Sequence, residues 1–178
     1  MRVRPCAPGD EGPLAALVQA LNRDQGDTDQ HFGPDAVARD VLGPEPRIGV
    51  LVAEDDDATL AGYAAFHVAY ESPWALRGLY LCDLYVRPQT RRRGIGRALV
   101  AALAATARHR GNGYLWWMSK PGNAAGHAFY KALGATFEPV VAHALVFGQF
   151  DALAREGARV VDSPPDAATG PTCSPTRS

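Results

Sequence analysis

Residues 78–109, GLYLCDLYVRPQTRRRGIGRALVAALAATARH, constrain the fold more than any other stretch of the chain. Residues 78–86 are apolar on both faces, as a central sheet strand requires. Pro88 cannot continue such a strand, so the chain leaves the sheet there. From residue 94 onward Ile95, Leu99, Val100 and Leu103 recur at helical spacing in an alanine-rich background, and Gly111 and Gly113 close the helix. A second strand and helix follow at 114–118 and from Pro121-Gly122-Asn123 through Leu133, stopped by Gly134. Two consecutive strand-helix units place a ligand at the carboxyl ends of their strands.

The rest of the chain supplies the remainder of one sheet. Residues 1–4 read as a strand, and Pro8-Gly9-Asp10 opens a helix carrying Leu14, Leu17, Val18 and Leu21. Residues 22–29 read as a polar loop and 34–42 as a short helix. Runs at 47–53 and 60–70 form a hairpin around the acidic turn 54–57, and 136–140 with 143–147 form a final strand pair. The order β-α-α-β-β-β-α-β-α-β-β predicts a mixed α/β fold, a mostly antiparallel sheet of about seven strands flanked by about four helices. Residues 1–160 form a single domain, and the Pro-, Ser- and Thr-rich 161–178 is expected to be a disordered tail.

The arginine-rich turn asks for a local explanation, because the 178-residue chain has a formal net charge of only −1. That balance argues against a nucleic-acid coat or a membrane-surface binder. Gly94 and Gly96 fall on the first helical turn, where backbone N–H groups lack intrahelical partners. Glycines there let a bulky anion approach the backbone, and the helix dipole and neighbouring arginines favour negative charge. A pyrophosphate suits this site; a solvated turn is the bland alternative. A Walker loop needs Gly-x-x-x-x-Gly-Lys-Ser/Thr, and the dinucleotide fingerprint needs a glycine near Leu99, so both fail on spacing. Three widely spaced cysteines, Cys6, Cys82 and Cys173, provide neither a disulfide framework nor a metal-binding pair. They point to a reducing cytoplasm with no bound metal, and the absence of a leader-like or membrane-spanning apolar run agrees.

The run LYLCDLYVRPQTRRRGIGRALV resembles the acetyl-CoA-binding motif of the GNAT superfamily of N-acetyltransferases, and NAAGHAFYKALGATF (123–137) is similar to that superfamily's downstream motif. Within the superfamily the likeness is nearest to the diamine (spermidine/spermine) acetyltransferase-like branch. The resemblance implies transfer of an acetyl group from acetyl-CoA to a primary amine of a small molecule, in a protein that is usually a homodimer. It implies that Leu84, Tyr85 and Val86 meet the pantetheine arm through the backbone groups of Leu84 and Val86. The pyrophosphate would lie against Arg91, Arg92, Arg93, Gly94, Ile95, Gly96 and Arg97. Asn123 would lie near the pantetheine and Tyr130 near the sulfur. A phenol holds its proton at neutral pH and can give it to a departing thiolate. A non-catalytic acyl-CoA sensor, or a nucleic-acid module using the arginines, are the alternatives.

Amide formation also needs a base, since an alkylammonium of pKa about 10.4 must lose a proton before it attacks. The diamine acetyltransferases carry Leu-Glu-Asp where this chain has Leu81-Cys82-Asp83. Strict alternation would put Cys82 on the same face as Leu84 and turn Asp83 away, so that Asp83 does not replace the glutamate. Cys82 is then either a pocket thiol or a small buried residue. His67 and Glu71 are the remaining candidates for a substrate-side base. Trp116 and Trp117 alternate across the sheet, so one is core and the other can line the acceptor cleft, where a cation rests on an indole face.

Overall fold

The computed structural model describes residues 1–157, in two compact units that divide at Ala135/Thr136. The first unit is built on one five-stranded sheet: β1 (Arg2–Pro5), β2 (Gly49–Glu54), β3 (Leu60–Glu71), β4 (Leu76–Val86) and β5 (Tyr114–Trp116), in that spatial order. β1 to β4 are antiparallel, and β5 joins β4 in parallel. The β4–β5 connection is helical, as parallel neighbours require.

Two apolar layers sandwich the sheet. On one face α1 (Glu11–Gln25) and α2 (Pro34–Asp40) bury Leu14, Leu17, Val18 and Val37 against Val50, Tyr63 and Tyr85. α1 runs on through residues 22–25, expected to be loop, and Gly26 ends it in the left-handed conformation that only glycine adopts without strain. On the other face α3 (Ile95–His109) buries Ile95, Leu99 and Leu103 against Phe66, Leu79 and Leu81. Leu84, Val86, Leu115, Trp117 and α4 (Ala124–Leu133) residue Phe129 pack onto that same layer.

The second unit departs from expectation. Residues 136–146 form no strand, and α5 (Phe147–Gly157) follows them, so the described residues hold five strands and five α-helices in place of about seven and about four. Two local causes act against the pair. Pro139 has no N–H to give a ladder, and Phe147 has φ 51°, outside the extended region. The tail expected over 161–178 lies outside the described residues. Among the described residues no helix is long and apolar enough to cross a membrane.

Candidate active site

β4 pairs with β5 only over Gly78–Tyr114, Leu79–Leu115 and Tyr80–Trp116, whereas on its other side it pairs with β3 as far as Val86. Beyond Tyr80 the two parallel strands separate, and one edge of β4 is left open. The Arg87 N–H donates to Ala61 C=O at 2.9 Å, so by antiparallel alternation Tyr85 also turns its backbone toward β3, while Leu84 and Val86 direct theirs to the open edge. The Tyr85 backbone thus faces β3, and its side chain is buried under α1. Leu84 and the N–H of Val86 remain as an edge onto which an extended amide chain can pair, while the Val86 C=O already accepts from Arg91 Nε.

The open edge leads to the turn before α3. Arg92 has φ 65° and Gly94 φ 82°, so the backbone turns sharply through the left-handed region on either side of Arg93 before α3 begins. The first backbone bond of α3 runs from Ala98 N–H to Gly94 C=O, and no side chain caps the helix, so the N–H groups of Ile95, Gly96 and Arg97 point outward without helical partners. A Cβ added to Gly94 meets nothing within 4 Å, so the space beside it is open. At Gly96 the nearest atoms belong to the Phe129 ring at 3.4 Å, so that glycine serves helix packing.

Three of the four arginine side chains at this turn make contacts within the chain. Arg91 Nε donates to Val86 C=O at 2.9 Å, and its Nη2 to Asp24 at 3.1 Å, with the guanidinium 5.7 Å from the centre of the Tyr85 ring. Arg93 is paired with Asp55 at 2.9 Å, and Arg97 reaches Ala132 C=O at 3.4 Å. These side chains brace the turn against α1, the β2–β3 turn and α4, while Arg92 is exposed at the turn. Ile95 is buried and offers only its N–H.

Strict alternation fails at Cys82. Asp83 pairs with Ala65 and Leu81 with Phe66, so Cys82 is the extra residue of a β-bulge. Leu79 and Leu81 face α3, as do Leu84 and Val86, which leaves Cys82 and Asp83 together on the α1 face. This overturns the reading that placed Cys82 with Leu84 and turned Asp83 away. Asp83 Oδ2 accepts a hydrogen bond from the buried Tyr63 hydroxyl at 3.3 Å and lines a cavity of about 240 Å³ together with Leu14, Val18, Phe32 and Ala65. Burial in that apolar surround raises the Asp83 carboxyl above the usual range, opposed by the Tyr63 bond. Asp83 is the residue that the alternation rule missed; no sequence signal marks a bulge between apolar strand residues. The Cys82 thiol, pushed up to about 11 by partial burial and the charge of Asp83, stays protonated at neutral pH.

The remaining candidates separate by position. Glu71 lies six residues along β3 from Ala65, the partner of Asp83, a span of about 20 Å from the bulge. His67 stacks on Tyr80, with ring centres 5.0 Å apart, and its Nδ1 sits 2.8 Å from Val68 C=O. Trp116 lies opposite Tyr80, on the α1 face, and Trp117 is the core partner. Asn123 caps α4, its Oδ1 accepting from Gly126 N–H at 2.9 Å. That cap sets the helix phase that brings Tyr130 to 5.1 Å, centre to centre, from Trp117. Burial raises the Tyr130 phenol, which therefore keeps its proton.

Tyr130, packed on Trp117, and Asp83, beside Tyr63, thus lie on opposite faces of the sheet. Comparisons with known proteins place the chain in a family. The sequence pattern of the acetyltransferase (GNAT) family matches residues 14–135. The thialysine N-epsilon-acetyltransferase of Bos taurus is 31% identical over 75% of this chain and 82% of its own. The L-ornithine N5-acetyltransferase of Arabidopsis thaliana is 34% identical over 45% of this chain and 35% of its own. Among solved structures, an integron cassette protein from the mobile metagenome of V. cholerae superposes with a TM-score of 0.73 at 21% identity, covering 86% of this chain and 97% of that one. With the family pattern spanning the strand, the turn, both flanking helices and Tyr130, the chain belongs to the acetyltransferase (GNAT) family.

Proposed function

We propose that the protein acetylates the side-chain amine of a small molecule with acetyl-CoA, by direct attack on the thioester. The observation that carries this is the placement of Asp83 and Tyr130 on opposite faces of the gap between β4 and β5. The residues present fit acetyl-CoA: the open backbone edge of Leu84 and Val86 suits its amide-bearing arm, and the uncapped N–H groups of residues 95–97 suit its pyrophosphate. When bound, acetyl-CoA supplies an acetyl thioester.

The chain's own groups handle the protons. Asp83 accepts a proton from the incoming ammonium, directly or through one water, and Tyr63 holds the carboxylate in place. Its raised pKa makes it a better proton acceptor than an ordinary aspartate. From the other face Tyr130 donates its phenolic proton toward the leaving sulfur. Each role is of the kind that contributes about 10²–10⁴-fold. The acceptors named for the two relatives, thialysine and L-ornithine, are amino acids bearing a second amine, and we take that class as the first candidate. The free Cys6 and Cys82 fit a reducing cytoplasm, and the likeness to diamine acetyltransferases supports a homodimer, which sedimentation velocity tests.

The test is CoA release from acetyl-CoA across ornithine and lysine analogues, diamines, aminoglycosides and short peptides. Release above the amine-free rate with a small amine is expected. Tyr130→Phe should lower turnover about 10²–10⁴-fold at neutral pH while leaving the acetyl-CoA-induced rise in Tm in place. Equal turnover in that variant removes Tyr130 from the chemistry, and silence across the panel while acetyl-CoA still raises Tm turns the reading toward a sensor.

A further inference from the structure

Beyond the bulge, toward the β3–β4 turn, the α1 face of the sheet carries a row of rings that the chemistry above does not use. His67 lies directly opposite Tyr80, and Tyr80 directly opposite Trp116, so one residue from each of β3, β4 and β5 stands in line across the sheet. Side chains in directly opposed positions share a face. Phe66, Leu79, Leu81, Leu115 and Trp117 all pack on the α3 side, which fixes the three rings on the other. His67 and Tyr80 stack at 25°, and Trp116 is 39% exposed. Tyr114 extends the row: its ring lies over Gly78, so close that a Cβ there would overlap it.

The charges around this shelf are of one sign. Asp83 lies three residues along β4 from Tyr80, roughly 10 Å away at strand spacing. Glu71 closes the other end; together with burial, its charge raises the Tyr114 phenol. Arg77, the cation of this part of β4, alternates to the α3 face with Leu79 and Leu81. Electron-rich ring faces between two carboxylates match a positive charge that offers little to hydrogen-bond.

We propose that His67, Tyr80 and Trp116 form a cation-binding shelf that holds a second, positively charged group of the acceptor while its reacting amine sits at the Cys82–Asp83 bulge. The inference rests on the acetyl-transfer reading and deepens it. The shelf selects acceptors that carry a positive charge remote from the reacting amine, and it does so through ring faces, so a quaternary ammonium serves as well as a protonated amine.

The experiment compares two acceptors of equal shape, an ω-aminoalkyl trimethylammonium and its neutral tert-butyl isostere. In the wild type KM for the cation should be about 2- to 30-fold lower, the range expected of a cation on aromatic faces. The ratio of the two KM values should fall toward one in Trp116→Leu and Tyr80→Leu and persist in Tyr80→Phe, which keeps the ring. Saturation-transfer NMR with tetramethylammonium reads the shelf without turnover: transfer to the methyl protons in the wild type should be lost in the Tyr80→Leu, Trp116→Leu double variant. An unchanged KM ratio in the leucine variants, or no saturation transfer in the wild type, overturns the shelf. Equal turnover of both acceptors sinks the shelf alone. Turnover of neither, with tetramethylammonium still bound, leaves the shelf standing and counts against the transfer reading.

Discussion

Replacing Asp83 with Asn should damage catalysis and strengthen the fold at once, with a pH signature that separates the two effects. The amide matches the carboxylate in shape, and its oxygen can still accept from the Tyr63 hydroxyl, now 3.3 Å from Asp83 Oδ2. What the substitution removes is a negative charge beside an apolar cavity and the ability to take a proton. If Asp83 is the proton acceptor, kcat falls about 10²–10⁴-fold, or about 2.7–5.4 kcal/mol of transition-state stabilisation at 1.36 kcal/mol per decade. Stability moves the other way. Burial raises the folded-state carboxyl pKa, so the fold favours the protonated form. That contribution is fully present below the unfolded value of about 3.9 and is lost as pH rises through the folded value. At pH 8 the wild type bears the whole cost of the buried charge and the Asn variant bears none. Thermal unfolding should therefore show a higher Tm for the variant at pH 8, a difference that closes as pH falls toward 4. Steady-state CoA release should show a rising acid limb in the wild type that the variant lacks. A drop in turnover of less than threefold would refute the base assignment. A Tm difference that does not change with pH would refute the burial argument itself.

Two glycine substitutions test how the site is built. Gly94 has φ 82°, so Gly94→Val should strain the turn and abolish the Tm rise caused by acetyl-CoA, whereas Gly96→Ala, whose Cβ meets Phe129 at 3.4 Å, should retain it; the same thermal-shift assay reads both. Gly78→Ala should push a methyl into the Tyr114 ring and cost about 1–3 kcal/mol, a drop in Tm of roughly 2–4 °C for each. In a Tyr114→Ala background most of that penalty should vanish, and a penalty of equal size there would show that the ring does not cover the glycine.

Much of the fold was legible because its signals are local. A strand apolar on both faces, a proline that ends it and a helix spaced through Ile95, Leu99 and Leu103 reproduce β4, the turn and α3 almost to the residue. Gly94 was legible too, since a left-handed residue before a helix favours glycine whatever surrounds it. The strand pair over 136–147 was misread because β-rich composition measures fitness for a sheet surface and cannot report whether a partner edge is offered. The site was less legible than the fold. The resemblance of the arginine-glycine turn to an acetyl-CoA motif rests on local residues, whereas the guanidiniums of Arg91 and Arg93 are engaged by Asp24 and Asp55, which lie far away in sequence.

The sequence by itself determined the strand-turn-helix junction, the glycine start of the helix and a tyrosine on the helix behind it, because each follows from contacts within about one turn or one strand. Only the tertiary structure decided which carboxylate lines the cavity beside Tyr63. One extra residue at Cys82 reverses the side-chain parity of β4 and brings Asp83 beside Tyr63, 20 residues away. The separation of β4 from β5 beyond Tyr80 was decided there as well. Strand pairing and its interruptions are agreements between distant segments, and the period of a single strand does not contain them.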